Sequence, residues 1–269
     1  MSARDDYEPG VPCWIDTLQP DPEAAMAFYA ALFGWELAGP GEMPGDPPGR
    51  YFVARLRGRD IGGIGSQPAG DPSAPPAWNT YVSVTSADEA ALAAVDAGGA
   101  VLVEPFDVLP AGRMAVVADP AGAPFCLWQP GERRGAQLVN EPGAWSMSHL
   151  TTPDPERAAA FYGDLFGWTT ETFGEGDAAV TMFRLPGYVG GEPRQTVSRE
   201  VVAIMSAANG DGAAGWSVNL WDRDVDATAA KALELGGRTL APPFDTPISR
   251  MAVLADPHGA TFSISNVPG

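Results

Sequence analysis

PDPEAAMAFYAALFGW (residues 20–35) returns as PDPERAAAFYGDLFGW (residues 153–168), an offset of 133 residues. The later landmarks keep step. Trp78 matches Trp216, Gly98-Gly99 matches Gly236-Gly237, Pro105-Phe106-Asp107 matches Pro243-Phe244-Asp245, and Arg113-Met114-Ala115-Val116 matches Arg250-Met251-Ala252-Val253. A self-similarity this long is a copied domain, not the short period of a solenoid.

Within one copy, Asp21 can accept from the free N–H groups of a first helical turn. Pro22 fits the first helical position, where its missing donor does no harm, and Glu23 faces the positive end of the dipole. Gly34 supplies the stop. Phe28, Leu32 and Trp35 follow at helical spacing and are expected to face a sheet. Alternating runs predict strands at Val11–Leu18, Trp35–Ala38, Arg50–Arg57 and Asp60–Gly65. The second half predicts a strand at Asn79–Val84, a helix at Ala87–Ala97, and strands at Ala100–Val103, Arg113–Ala118 and Ala123–Gln129, with Asp119-Pro120-Ala121-Gly122 as a tight turn. The boundaries expected are a first domain at 9–130, a linker at 131–143 and a second domain at 144–268.

The chain has 269 residues, 45% of them hydrophobic, enough for two cores of roughly 130 residues each. Two cysteines, Cys13 and Cys126, cannot make a disulfide framework, and the opening residues lack an apolar signal stretch, so a cytoplasmic location is expected. The two thiols are expected on opposite faces and unbridged. No run approaches ~18 apolar residues, so no membrane span is expected. A net charge of −18 opposes binding to nucleic acid or anionic lipid, which need a basic patch.

The order βαβββ twice per copy, the Phe-Tyr-x-x-Leu-Phe-Gly-Trp segment and the Asp-Pro-x-Gly-Ala hairpin together resemble the vicinal oxygen chelate superfamily, which includes glyoxalase I, extradiol dioxygenases and bleomycin-resistance proteins. The resemblance implies an α+β fold of two tandem glyoxalase-like domains, each with paired βαβββ units forming a cup-shaped mixed sheet. Whether a cup forms within one copy or between copies stays open, as does a monomeric pseudo-dimer against a homodimer. In metal-dependent relatives, ligands come from the first, fifth and last strands. Those places map here to Trp14, Asn79 and Cys126, and to Met147, Ser217 and Ser263. None is His, Asp or Glu, so no metal and no cofactor is expected.

Alternation places Asp16 beside Trp14 and His149 beside Met147 on one face, making these two the candidate acid–base groups. The inward sets are expected to be Trp14, Asp16, Asn79, Tyr81, Cys126 and Trp128 in the first cup, and Met147, His149, Ser217, Asn219, Ser263 and Ser265 in the second. Ring faces with a few uncharged polar groups suit a small aromatic or partly apolar molecule. Trp14 and Trp128 are its expected stacking platform. Two functions follow: a metal-free binding protein for an aromatic metabolite or antibiotic, or an enzyme of secondary or detoxifying metabolism (a glyoxalase-like lyase or isomerase, or hydroxylase/dioxygenase-like) using His149 or Asp16. Cys126 is a candidate nucleophile by residue type alone. Arg113 and Arg250 are expected in ion pairs with Asp107 and Asp245, and His258 is expected in solvent. The copies differ most before Trp216, where the second is about ten residues longer. Its apolar stretch Val201–Met205 reads as a lid over one principal ligand site or as a packing edge.

Overall fold

The computed structural model describes residues 4–43, 48–67, 76–174, 180–189, 200–208, 212–246 and 249–266. The first copy contributes β1 (Pro12–Gln19), α1 (Pro22–Phe33), β2 (Glu36–Met43), β3 (Gly49–Leu56), β4 (Arg59–Ser66), β5 (Trp78–Ser83), α2 (Ala87–Asp96), β6 (Ala100–Val108), β7 (Gly112–Ala118) and β8 (Pro124–Pro130). The second repeats the order with β9 (Trp145–Thr152), α3 (Pro155–Phe166), β10 (Thr169–Phe173), β11 (Val180–Arg184), β12 (Val201–Ala207), β13 (Gly215–Trp221), α4 (Val225–Glu234), β14 (Arg238–Asp245), β15 (Arg250–Ala255) and β16 (Thr261–Asn266).

Each copy closes its own sheet, with orders β2-β3-β4-β1-β5-β8-β7-β6 and β10-β11-β12-β9-β13-β16-β15-β14. The question of cups within or between copies is thereby answered: within. The βαβββ units meet where β1 runs antiparallel to β5, and β9 to β13. Inside each unit the first strand pairs parallel with the last, as in β1 with β4 and β5 with β8. Val201–Met205 is neither lid nor edge. It lies in β12, hydrogen-bonded between β11 and β9, at the place β4 holds in the first copy.

The helix signals work as chemistry demands. Asp21 Oδ1 accepts from Ala24 N at 3.0 Å, and Asp154 Oδ1 from Arg157 N at 3.0 Å. Gly34 and Gly167 both end their helices in the left-handed region, at φ 73°, where a Cβ would be strained.

Each of these helices packs on the sheet of the other copy. Phe28, Tyr29 and Phe33 of α1 surround Phe262 of β16 at ring distances of 6.5, 5.6 and 6.1 Å. Phe161, Tyr162 and Phe166 of α3 surround Phe125 of β8 at 6.2, 5.5 and 6.0 Å. A polar chain runs through each contact. Trp78 Nε1 donates to Tyr29 Oη at 3.1 Å, and Tyr29 donates to Asp256 Oδ2 at 3.0 Å. Its counterpart is Trp216 to Tyr162 at 2.9 Å and Tyr162 to Asp119 at 3.2 Å. The two carboxylates belong to the Asp-Pro-x-Gly-Ala hairpins, where their other oxygens accept backbone N–H groups of the turn. His258 sits in that turn half-buried, not in solvent, with Nδ1 3.2 Å from Gln19 Oε1 across the interface.

Replacing Tyr29 or Tyr162 by Phe keeps the ring packing but strands an indole N–H and removes one bond from a buried carboxylate. Each change is expected to cost about 1–3 kcal/mol in urea denaturation. Unchanged midpoints for both would mean that ring packing alone holds the copies together.

Candidate functional site

The inward face of the first cup centres on Asp16, which is 1% exposed. Strand pairing sets Asp16 opposite Asn79 and Trp14 opposite Tyr81, and Tyr81 beside Cys126, so the expected inward set does share one face. Asp16 accepts from Tyr81 Oη at 2.6 Å, Asn79 Nδ2 at 2.8 Å and Tyr51 Oη at 3.0 Å. Tyr51, from β3, reaches across β4 because Gly63 and Gly65 leave its ring room. A Cβ on Gly63 would overlap the Tyr51 hydroxyl. Burial pushes the Asp16 carboxyl above its ordinary value, and the three donors only partly offset this. Both phenols and the Cys126 thiol are also pushed up, first by burial and then by the nearby carboxylate. Such a thiol is a poor nucleophile.

The linker seals this cup. The Arg133 guanidinium lies 5.1 Å from the Trp14 ring centroid and pairs with Asp60 at 2.6 Å. Trp128 Nε1 donates to the Arg133 carbonyl at 2.9 Å, and Trp14 Nε1 to Tyr51 Oη at 2.9 Å. The two tryptophans expected as a stacking platform are thus buried among protein partners, 4% and 6% exposed. Sequence reasoning missed Tyr51 and Arg133. The glycines of β4 were the available signal for Tyr51.

The second cup carries the same strand positions with smaller groups. His149 takes the place of Asp16, opposite Ser217, while Asn219 lies opposite Met147 and beside Ser263. Met147, His149, Ser217, Asn219, Ser263 and Ser265 are all only half-buried. Ile204 pairs with His149 where Gly63 pairs with Asp16. His149 Nε2 is 2.8 Å from Ser206 Oγ, a partner the sequence gave no reason to single out. Asn219 donates to Ser146 and Ser265 Oγ at 2.8 and 2.7 Å and accepts from Ser263 Oγ at 2.8 Å. Burial lowers the His149 pKa, so the imidazole is neutral at pH 7.

The mapped ligand positions hold a thioether and two hydroxyls in this cup, and an indole, an amide and a thiol in the first. These donors do not fit a divalent ion of the imidazole–carboxylate kind. Among the described residues no three His, Cys, Asp or Glu side chains cluster to hold a metal. Arg113 and Arg250 are in ion pairs as expected, with Asp107 and Asp245 at 2.9 Å, and each also grips a helix carboxylate, Asp88 or Asp226. The cysteines are free and buried. No helix among the described residues is long and apolar enough to cross a membrane.

The glyoxalase-like domain family matches this chain twice, at residues 14–128 and 147–265. The chain belongs to that family. Curated relatives of this glyoxalase-like protein include the "Putative glyoxylase CFP32" of Mycobacterium tuberculosis, 38% identical over 98% of this chain and 97% of the relative. Another is the anthracycline biosynthesis protein DnrV of Streptomyces peucetius, 33% identical over 96% and 94%. Similar solved structures include the 2,3-dioxygenase LapB from Pseudomonas sp. KL28, with TM-score 0.63, 12% identity and coverage of 98% and 94%. The Mn(II)-bound glyoxalase from Novosphingobium aromaticivorans has TM-score 0.61, 16% identity and coverage of 96% and 82%. At those identities they show the shared fold alone.

Two measurements test the contrast between the cups. Asp16→Ala strands one buried and two half-buried donors and is expected to cost about 2–4 kcal/mol in denaturant. For His149, the lowered pKa means that below the ordinary value of 6.5 the unfolded chain binds a proton that the native one resists. Stability therefore falls as pH drops below that value, and His149→Gln removes this part of the slope. The Asp16 shift has the opposite sign: its raised pKa makes stability fall as pH rises from the ordinary carboxylate value of 3.8.

Proposed function

We propose that this protein binds a small, planar, largely uncharged organic molecule in its second cup, without a metal, as a step in the handling of an aromatic metabolite. The observation that carries the reading is the contrast between copies. The first cup is closed by Asp16, its three donors and the Arg133 linker contact. The second leaves its floor of Met147, His149, Ser217, Asn219, Ser263 and Ser265 half-exposed. None of the strands that build this floor, β9, β13 and β16, contains Asp, Glu, Lys or Arg, so a charged ligand would find no counter-charge on them. The likeness to DnrV, an anthracycline biosynthesis protein, supports a polycyclic aromatic ligand.

An enzymatic reading rests on the half-buried imidazole of His149 on that open face, whose pKa burial lowers and which is a residue type suited to proton transfer. Likeness to the "Putative glyoxylase" accords with it. Asp16 takes no part in either reading, because all its surroundings are protein donors.

Calorimetric titration with planar polycyclic ketones tests the proposal. One site per chain is expected, with His149→Ala weakening affinity by about 5- to 150-fold, equivalent to about 1–3 kcal/mol. Trp14→Ala is expected to lower stability while leaving the affinity of the folded fraction unchanged. Two equal sites, both indifferent to His149→Ala, would overturn the reading.

A further inference from the structure

The two copies carry a tryptophan–serine pair at one place in their sheets, but on exchanged strands. In the first copy Ser83 of β5 stands beside Trp128 of β8. In the second, Trp221 of β13 stands beside Ser265 of β16. Leu220 and its partner Ile264 are fully buried on the outer face. Alternation therefore puts Trp221 and Ser265, one residue on, on the inner face with Asn219 and Ser263. The pairing continues toward the edge, Ser265 with Met251 and Met251 with Phe244. Trp221, Ser265, Met251 and Phe244 thus form one inward row across four strands.

The small Ser265 leaves this row open. In the first copy the Trp128 indole fills the second place, and Phe106 at the edge is half-buried. In the second, Trp221 and Met251 are half-buried and the Phe244 ring is 40% exposed. The eight tryptophans of the chain also separate by their partners. Six donate the indole N–H to protein acceptors, and Trp145 is sealed at 5% exposure. Among the described residues Trp221 makes no side-chain hydrogen bond and meets no other aromatic ring. A large ring face left uncovered on a concave surface, continued by a thioether and an exposed phenyl, is a recognition surface for a flat apolar molecule.

We infer that Trp221 is the ring-stacking, specificity-determining residue of the second cup, and that the planar ligand lies against its indole with Met251 and Phe244 continuing the wall. This rests on the second cup being the ligand site. It makes planarity, not apolar bulk, the feature selected, because an indole face gains attraction from a flat conjugated ring beyond what buried area supplies.

Calorimetric titration of the intact protein with 9-fluorenone and with perhydrofluorenone, the saturated and puckered ketone on the same skeleton, tests this. The readout is the ratio of the two affinities, which cancels their difference in apolar bulk between variants. Trp221→Leu and Trp221→Met keep an apolar side chain without a ring, and each is expected to lower the preference for fluorenone about 3- to 10-fold relative to the unaltered protein. Trp221→Phe, which keeps a ring, should retain most of the preference. Denaturation midpoints report separately whether each variant folds. A ratio unmoved by Trp221→Leu or Trp221→Met, with His149→Ala still weakening fluorenone, overturns the role of Trp221 and leaves the second cup as the site. Binding indifferent to His149→Ala and to all Trp221 variants overturns the cup as the site and the inference with it. Binding of neither ketone overturns both as well.

Discussion

The Tyr29 hydroxyl accepts an indole proton from its own copy and donates to a hairpin carboxylate of the other, and Tyr162 does the same in return. A buried carboxylate is costly unless its oxygens are hydrogen-bonded, so each hairpin is completed by the neighbouring copy's helix. This reciprocity fixes how the two sheets sit against each other. It also gives the repeated segments a common cause: Phe-Tyr on the helix, Trp at the start of the fifth strand and Asp at the last hairpin are three parts of one contact, present twice.

With the outer faces locked together, the inner faces are free to diverge. The first cup keeps a buried acid and surrounds it with two phenols, an amide and a linker arginine resting on an indole. Glycines at β4 make this closure sterically possible, since the Tyr51 ring crosses the strand where any side chain would stand. In the second copy Ile204 and Ser206 occupy that strand, an imidazole replaces the acid, Met147 stands in the place of Trp14, and serines replace the amide of Asn79 and the thiol of Cys126. One scaffold thus carries a closed cup and one whose polar floor is half-exposed.

A duplicated fold in which one copy becomes structural relieves the other of the stability that a packed cup provides. Half-exposed polar side chains contribute little to a core. The aromatic clusters at the interface and the closed first cup supply packing that the open second cup forgoes.

The sequence alone determined the duplication, the start and stop of the first helix of each copy, the succession of helices and strands along the chain and the face to which Asp16, His149 and their neighbours belong, because these follow from local caps, turns and a period of two. Only the tertiary structure decided which cup is closed, since Tyr51 and Arg133 meet Asp16 and Trp14 from distant strands and the linker. The same holds for Val201–Met205, whose apolar residues suited a lid as well as a strand until pairing with β9 and β11 placed them inside a sheet. The His149–Ser206 contact joins residues 57 apart across a parallel pair. Nothing in local pattern encodes such a meeting; it depends on register, which the folded sheet sets.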